Sequence, residues 1–197
     1  MCIRDSIERV TKDQDGLFTC HTDGDAVFRS KAVIAGMGSH PRYLGVRGEE
    51  EYRMGGVSYC ATCDGFFYRG KDVMVVGGGD AAVEESIYLS KIVKSVRVIH
   101  RRNELRAQKI LQDQAFAKDN ISFIWDSVLE EIVGEGGRVT GVVIKNVKTG
   151  ETSRHDCHGV FIYIGNLPNS EPVRDLVEVD ENGYVVVDHM MQTSVPG

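Results

Sequence analysis

DVMVVGGGDAAVEESIYLSK, residues 72–91, is the stretch that decides the fold. Asp72 to Val76 is a short apolar run that reads as a strand, and Ala81 to Lys91 reads as a helix, with Val83, Ile87, Leu89 and Ile92 as its apolar positions. Between them Gly77-Gly78-Gly79-Asp80-Ala81-Ala82 fits G-x-G-x-x-A. Glycines in such a turn let the backbone approach a pyrophosphate, whose charge is met by free amide groups at the start of the helix. Alone, a glycine-rich hexamer is also what any tight turn uses; its place directly after a strand and directly before a helix favours the phosphate loop.

Downstream, Val96 to His100 is a second apolar strand, Asn103 to Lys118 reads as a second helix capped by Asn103, and Ile121 to Trp125 as a third strand. Strand, helix, strand, helix and strand in this order imply a parallel sheet with right-handed crossovers, an α/β Rossmann-like domain. An NAD site places a carboxylate about 20 residues past the glycines to bond the ribose hydroxyls. Here that position begins His100-Arg101-Arg102, with Arg106 expected one turn into the next helix. Guanidinium groups there offer charge-assisted bonds to an extra phosphate, so the expected cofactor is NADPH. These residues belong to a basic cluster, Lys94, Arg97, His100, Arg101, Arg102, Arg106 and Lys109, in a chain whose net charge is -6. Most charge runs are solvated surface, but a strand end beside a phosphate loop points to an anionic ligand. Glu84 and Glu85, early in the same helix, suit the helix dipole and do nothing for a pyrophosphate.

Further along, Leu129 to Val133, Val139 to Asn146 and Glu151 to Asp156 read as an antiparallel meander, and Val160 to Ile164 as a return to the parallel sheet. Before the domain, Ile7 to Val10, Leu17 to Thr22, Ala26 to Phe28 and Ala32 to Ala35 read as short strands; beyond it, so does Tyr184 to Val187. Met1 to Ser6 continue no pattern and read as foreign to the parent protein.

Of five cysteines, only Cys60 and Cys63 form a C-x-x-C, in Cys60-Ala61-Thr62-Cys63-Asp64-Gly65. Such a pair can close a small disulfide ring and serve as a reversible two-electron carrier. Zinc is the competing reading, but it needs four ligands. There is no second C-x-x-C, and the nearest candidates, His155, Cys157 and His158, fall on or beside a strand. Asp64 can give or take a proton at a leaving thiolate, and can equally be a turn former before Gly65. Cys20 and Cys157 read as buried or half-buried apolar side chains.

With 42% apolar and 26% charged residues the composition is that of a folded globular protein. The acidic balance argues against a nucleic-acid surface, and no stretch approaches the roughly 20 apolar residues of a membrane span. The start lacks a secretory signal pattern, so a cytoplasmic setting is expected.

GVSYCATCDGFF (56–67), VVGGGDAAVEE (75–85), HRRNELRA (100–107), IGNLPN (164–169) and QTSVPG (192–197) resemble, in order and spacing, the bacterial low-molecular-weight thioredoxin reductases. The resemblance covers nearly all of residues 7–197. It implies a homodimeric flavoprotein in which an NADPH domain, here residues 44–164, is inserted into an FAD domain represented by residues 1–43 and 165–197. It implies electron flow from NADPH to FAD, to the Cys60–Cys63 disulfide and on to thioredoxin. By the same resemblance Cys63 lies nearest the flavin, Asp64 is the acid, and the joints near 42–46 and 164–168 are hinges. Two departures stand out. The family's two main FAD motifs would precede residue 1 and follow residue 197, so the chain by itself is expected neither to hold FAD nor to turn over. Ala35-Gly36-Met37-Gly38 also stands where the family usually has Ala-Thr-Gly-Ala. Three rival readings remain. The alkyl hydroperoxide reductase flavoprotein usually has Cys-Pro-His-Cys at the redox pair. A ferredoxin-fed reductase tends to lose the glycine and arginine signals kept here. A non-catalytic NADP-binding or redox-sensing module would lack FAD in the complete protein.

Overall fold

A computed structural model describes residues 6–197; the expectation about Met1 to Ser6, Ser6 apart, lies outside the described residues. The chain divides into two compact units. One is built from residues up to His40 together with Asn166–Gly197, the other from Pro41–Gly165.

The first unit starts with three antiparallel strands, β1 (Ile7–Lys12), β2 (Phe18–Thr22) and β3 (Val27–Ser30), in that order across the sheet. A fourth, β4 (Ser39–Pro41), makes a separate two-stranded pair at the end of the unit. Val10, Phe18 and Val173 form the core, with Val33, Leu176 and Val185 packed on it. Two sequence expectations fail here. Ala32 to Ala35 is not a strand: Val33 donates its N–H to the carbonyl of Gly197, a single backbone bond with no neighbouring strand. Tyr184 to Val187 contributes only an isolated bridge between Val185 and Val179.

The second unit is layered. Its five-stranded parallel sheet runs β5 (Val57–Ser58), β12 (Gly159–Tyr163), β6 (Asp72–Gly77), β7 (Ser95–Ile99) and β8 (Ile121–Ile124) across the layer. Helix α1 (Ala61–Asp64) follows β5 and passes directly into a 3-10 turn over Gly65–Tyr68. Next come β6 (Asp72–Gly77), α2 (Asp80–Ser90), β7 (Ser95–Ile99), α3 (Lys109–Phe116) and β8 (Ile121–Ile124). The antiparallel meander of β9 (Ser127–Glu135), β10 (Arg138–Asn146) and β11 (Thr152–Asp156) precedes β12 (Gly159–Tyr163). The last strand, β13 (Asn166–Pro168), belongs to the first unit and pairs with β4.

Strand alternation explains why β6 and β12 are apolar without interruption. Val73, Val75 and Phe161 pack against Ala82, Val83 and Leu89 of α2, whereas Met74, Val76, Val160 and Ile162 pack against Leu129, Ile132, Val142 and Ile144 of the meander. A sheet covered on both faces has no polar side to present. The meander's first turn is Gly136-Gly137, both at positive φ (59° and 74°), as a two-residue hairpin of right-twisted strands requires.

The second helix departs from its sequence reading. It begins at Lys109, not Asn103, and its cap position is Gln108. The backbone of the preceding segment is engaged elsewhere: Arg106 and Ala107 both donate N–H to the Gly78 carbonyl (2.8 and 3.2 Å), and Gln108 donates N–H to Asp80 Oδ1 at 2.7 Å. Leu105 and Ala107 are buried in the core between α2 and the sheet. Residues 101–108 are therefore a strap fastened to the glycine turn, and Arg106 stands on that strap instead of on a helix.

Candidate functional site

Within the second unit a cleft of about 320 Å³ opens at the carboxyl ends of β6, β7 and β12, lined among others by Gly77, Gly78, His100, Arg101, Arg106 and Tyr163. Ligands of open parallel sheets bind at this edge. Gly77 sits at φ +148°, and a Cβ there would lie 2.4 Å from the Tyr163 carbonyl oxygen and 2.7 Å from Ala82 Cβ. Gly78 lies under the His100 ring, where a Cβ would come within 2.2 Å of Nδ1. Gly79 caps α2, and a Cβ on it would meet only Arg106 Nη2, at 4.0 Å. The first two glycines are thus required by the protein's own packing, and the third leaves space at the start of the helix.

The expected site residues take distinct places. Gly77, His100, Arg101 and Arg106 line the cleft, together with Gly78; Gly79, Asp80, Ala81, Ala82 and Arg102 are not among its walls. Asp80 is occupied in holding Gln108, through N–H and Nε2. Ala82 is fully buried beneath Gly77, which lets α2 approach the sheet closely. The basic cluster also divides. Lys94 pairs with Asp72, Lys109 with Asp113, and Arg97 donates to the Asp156 carbonyl, so these three are structural. Among the described residues Arg101, Arg102 and Arg106 enter no ion pair, and all three are exposed.

His100 is 5% exposed and its Nε2 is buried without a partner. Burial, reinforced by the neighbouring arginines and opposed by a bond with the Glu104 backbone, holds its pKa below the usual histidine value. The ring is therefore neutral at pH 7, and the positive field of the cleft comes from guanidinium groups. An orphaned polar atom, tight glycines and free arginines on one cleft fit a phosphate-bearing dinucleotide. Gly78→Ala, which drives a methyl group into the buried His100 ring, is expected to lower stability by about 1–3 kcal/mol, read as a fall in the thermal midpoint.

Cys60 and Cys63 form a disulfide with Cα atoms 5.3 Å apart. Cys60 is the cap residue of α1, its Sγ accepting the Cys63 N–H at 3.1 Å; Cys60 is half-buried and Cys63 exposed. Asp64 is fixed by Ser58, whose hydroxyl donates to Oδ2 at 2.7 Å and accepts the Cys60 N–H at 3.1 Å. Ala61, between the cysteines, donates its N–H to the Tyr163 hydroxyl at 2.7 Å. Phe66 and Phe67 follow the pair, 67% and 69% exposed. Cys157 is buried, which pushes its thiol up to about 12, while Cys20 is half-buried. No group of three or more potential metal ligands occurs among the described residues.

Sequence reasoning passed over Ser58, Tyr163 and the phenylalanine pair. Phe66-Phe67 had a visible signal, two adjacent aromatics directly after the redox motif. Ser58, two residues before Cys60, was within local reach of the motif; Tyr163 had no signal, because only the pairing of β12 with β5 and β6 brings it to the cysteines.

The family model of pyridine nucleotide-disulphide oxidoreductases matches residues 2–197. The thioredoxin reductase of Listeria monocytogenes is 45% identical over 180 residues, 91% of this chain and 56% of that protein. The solved thioredoxin reductase of Lactococcus lactis superposes with a TM-score of 0.88 at 44% identity, over 98% of this chain and 63% of the other. That of Streptococcus pyogenes gives 0.81 at 50% identity, over 98% and 62%. The chain thus spans little more than half the length of the curated relatives it matches. With its parallel sheet, glycine turn and C-x-x-C disulfide, it belongs to the pyridine nucleotide-disulphide oxidoreductase family.

Proposed function

We propose that the parent protein is a thioredoxin-disulfide reductase that draws electrons from NADPH through FAD. In this reading residues 44–164 form the NADPH-binding domain, with its redox pair, and residues 1–43 and 165–197 belong to the FAD-binding domain. The observation that carries it is the presence, on one compact unit, of a phosphate-type cleft and a C-x-x-C disulfide. When bound, NADPH would supply hydride-donating chemistry and FAD two-electron redox chemistry to the disulfide.

The chain's own residues do the remaining work. The turn from Gly77 to Gly79 brings backbone close to the pyrophosphate, with Asp80, Ala81 and Ala82 setting how α2 meets that turn. Arg101 and Arg106 neutralise the extra phosphate, with Arg102 adjoining on the strap. Reduction breaks the Cys60–Cys63 bond and leaves a thiolate and a thiol, and Asp64, held by Ser58, moves the proton at the neighbouring Cys63 sulfur. Phe66 and Phe67 give thioredoxin an apolar surface beside the pair. Homodimer formation and a cytoplasmic setting complete the proposal; no described helix is long and apolar enough to cross a membrane.

The test is NADPH-driven reduction of thioredoxin by the full-length parent, with and without Asp64→Asn. The wild type should reduce thioredoxin, and the variant should do so about 10²–10⁴-fold more slowly, as expected on losing a positioned proton donor. A parent that does not reduce thioredoxin with NADPH overturns the function, and an unaffected variant overturns the role of Asp64.

A further inference from the structure

We propose that Tyr163 is a positioning residue of the redox pair: its hydroxyl holds the Ala61 N–H inside the Cys60–Cys63 turn, while its residue forms part of the nucleotide cleft wall. The inference rests on reading Cys60 and Cys63 as the redox pair, and its test uses no nucleotide, flavin or thioredoxin.

Tyr163 ends β12, opposite Gly77 in the parallel register, and lines the cleft. Its phenol reaches a turn 102 residues away in sequence and accepts the Ala61 N–H at 2.7 Å. Ala61 is completely buried, so this N–H has no solvent to turn to, and a buried backbone donor needs a partner. The same short turn carries the bond from Cys63 N–H to Cys60 Sγ. A rotation of the Ala61 peptide in search of another acceptor therefore moves the donor that steadies the Cys60 sulfur. A thiolate depends on such donors more than a thiol does, because charge-assisted hydrogen bonds are the stronger ones.

A phenol oxygen has two lone pairs and one proton; Ala61 uses a lone pair, and the proton remains to be donated. Burial, followed by the negative charge of Glu85 on α2 and, to a lesser degree, of Asp64 in the turn, keeps the Tyr163 hydroxyl protonated well above neutral pH. Glu85 Oε2 is itself buried without a partner, and burial followed by Glu84 raises its pKa. Glu85 thus adds to the charge that keeps protonated the hydroxyl fixing the turn. Tyr163 thus meets the glycine turn through its backbone carbonyl, beside Gly77, and the disulfide turn through its hydroxyl.

The experiment is pH-dependent alkylation of the reduced full-length chain. Wild type and Tyr163→Phe are reduced with dithiothreitol, freed of it anaerobically and treated with iodoacetamide from pH 5 to 9, with modification at Cys60 and Cys63 followed by mass spectrometry. Phenylalanine keeps the ring and removes only the hydroxyl. Alkylation of Cys60 at pH 7 should slow about fivefold, the equivalent of one well-aligned hydrogen bond, with its pH midpoint displaced upward. Hydrogen exchange at the Ala61 amide should quicken in the same variant. An unchanged alkylation profile in a variant with wild-type near-ultraviolet dichroism, even one that melts lower, reduces Tyr163 to packing and overturns the proposal; so does unchanged protection at Ala61. Should the variant be too unstable for alkylation, amide exchange under its own folding conditions decides. Loss of NADPH or thioredoxin activity in the parent would touch the proposed function and leave this result standing.

Discussion

Cys60→Ser and Cys63→Ser should each abolish thioredoxin reduction by the parent protein, a loss on the order of 10⁶-fold, as for removal of a catalytic nucleophile. The argument starts from electron counting. A disulfide takes up two electrons by breaking one sulfur–sulfur bond, and a serine oxygen in place of either sulfur leaves no bond to break. Exchange with a second disulfide then proceeds through attack by a thiolate and a mixed disulfide, which the surviving thiol can begin and cannot resolve. Serine keeps the volume and hydrogen-bonding capacity of the turn, so the fold should survive. Neither cysteine lines the cleft, so NADPH affinity should stay within about threefold of wild type, below the tenfold that corresponds to about 1.4 kcal/mol. Steady-state turnover and calorimetric titration of the same samples check both halves. Turnover above a thousandth of wild type in either variant would remove the pair from the electron path; a parallel collapse of NADPH binding would mean that the substitution had damaged the unit as a whole. The two variants should also differ in one respect. Cys60 keeps the Cys63-position N–H as a donor to its sulfur, so Cys63→Ser should trap thioredoxin as a mixed disulfide more readily than Cys60→Ser.

What the sequence made legible follows from how local each signal is. The interiors of β6 and β12 stand out because burial on both faces removes polar residues from them, and the glycine turn stands out because three consecutive glycines between a strand and a helix have few other uses. The C-x-x-C spacing is sufficient by itself to bring two sulfurs within bonding reach. Where the outcome depends on a partner distant in sequence, the pattern misleads. Residues 103–108 have a good helical composition, but Gly78 and Asp80 claim their backbone groups, and the helix starts only once that claim ends at Gln108. Val57–Ser58 is too short to carry any periodicity and is a strand only because Val160 and Phe161 lie beside it. The basic run between Lys94 and Lys109 looks uniform in sequence. The structure separates it into charges committed to Asp72, Asp113 and the Asp156 carbonyl and, among the described residues, arginines that enter no ion pair, and no composition rule could have drawn that line.

That separation leads to the second large effect. Arg101→Ala with Arg106→Ala should weaken NADPH binding about 10²-fold or more while leaving NADH within about threefold. Each hydrogen bond to a charged group contributes about 1.5–3 kcal/mol, so two such bonds correspond to roughly 10²–10⁴ in affinity. The lower end applies because both guanidinium groups are exposed and screened by salt. NADH has only hydroxyl groups where NADPH carries the additional phosphate, so a site acting through that phosphate loses nothing comparable. Arg102→Ala should weaken NADPH less than either cleft-lining change, since Arg102 is not among the cleft walls. Raising the ionic strength should erode the wild-type preference for NADPH in the same direction as the mutations, because the attraction is between partly solvated charges. His100 does not compensate, because burial keeps its ring neutral at pH 7. Titrating both nucleotides into wild type, the single variants and the double variant, at low and moderate salt, decides the matter. An equal loss for NADH and NADPH would place the arginines on the shared pyrophosphate and sink the assignment of the extra phosphate to Arg101 and Arg106; no loss for either would return them to the solvated surface.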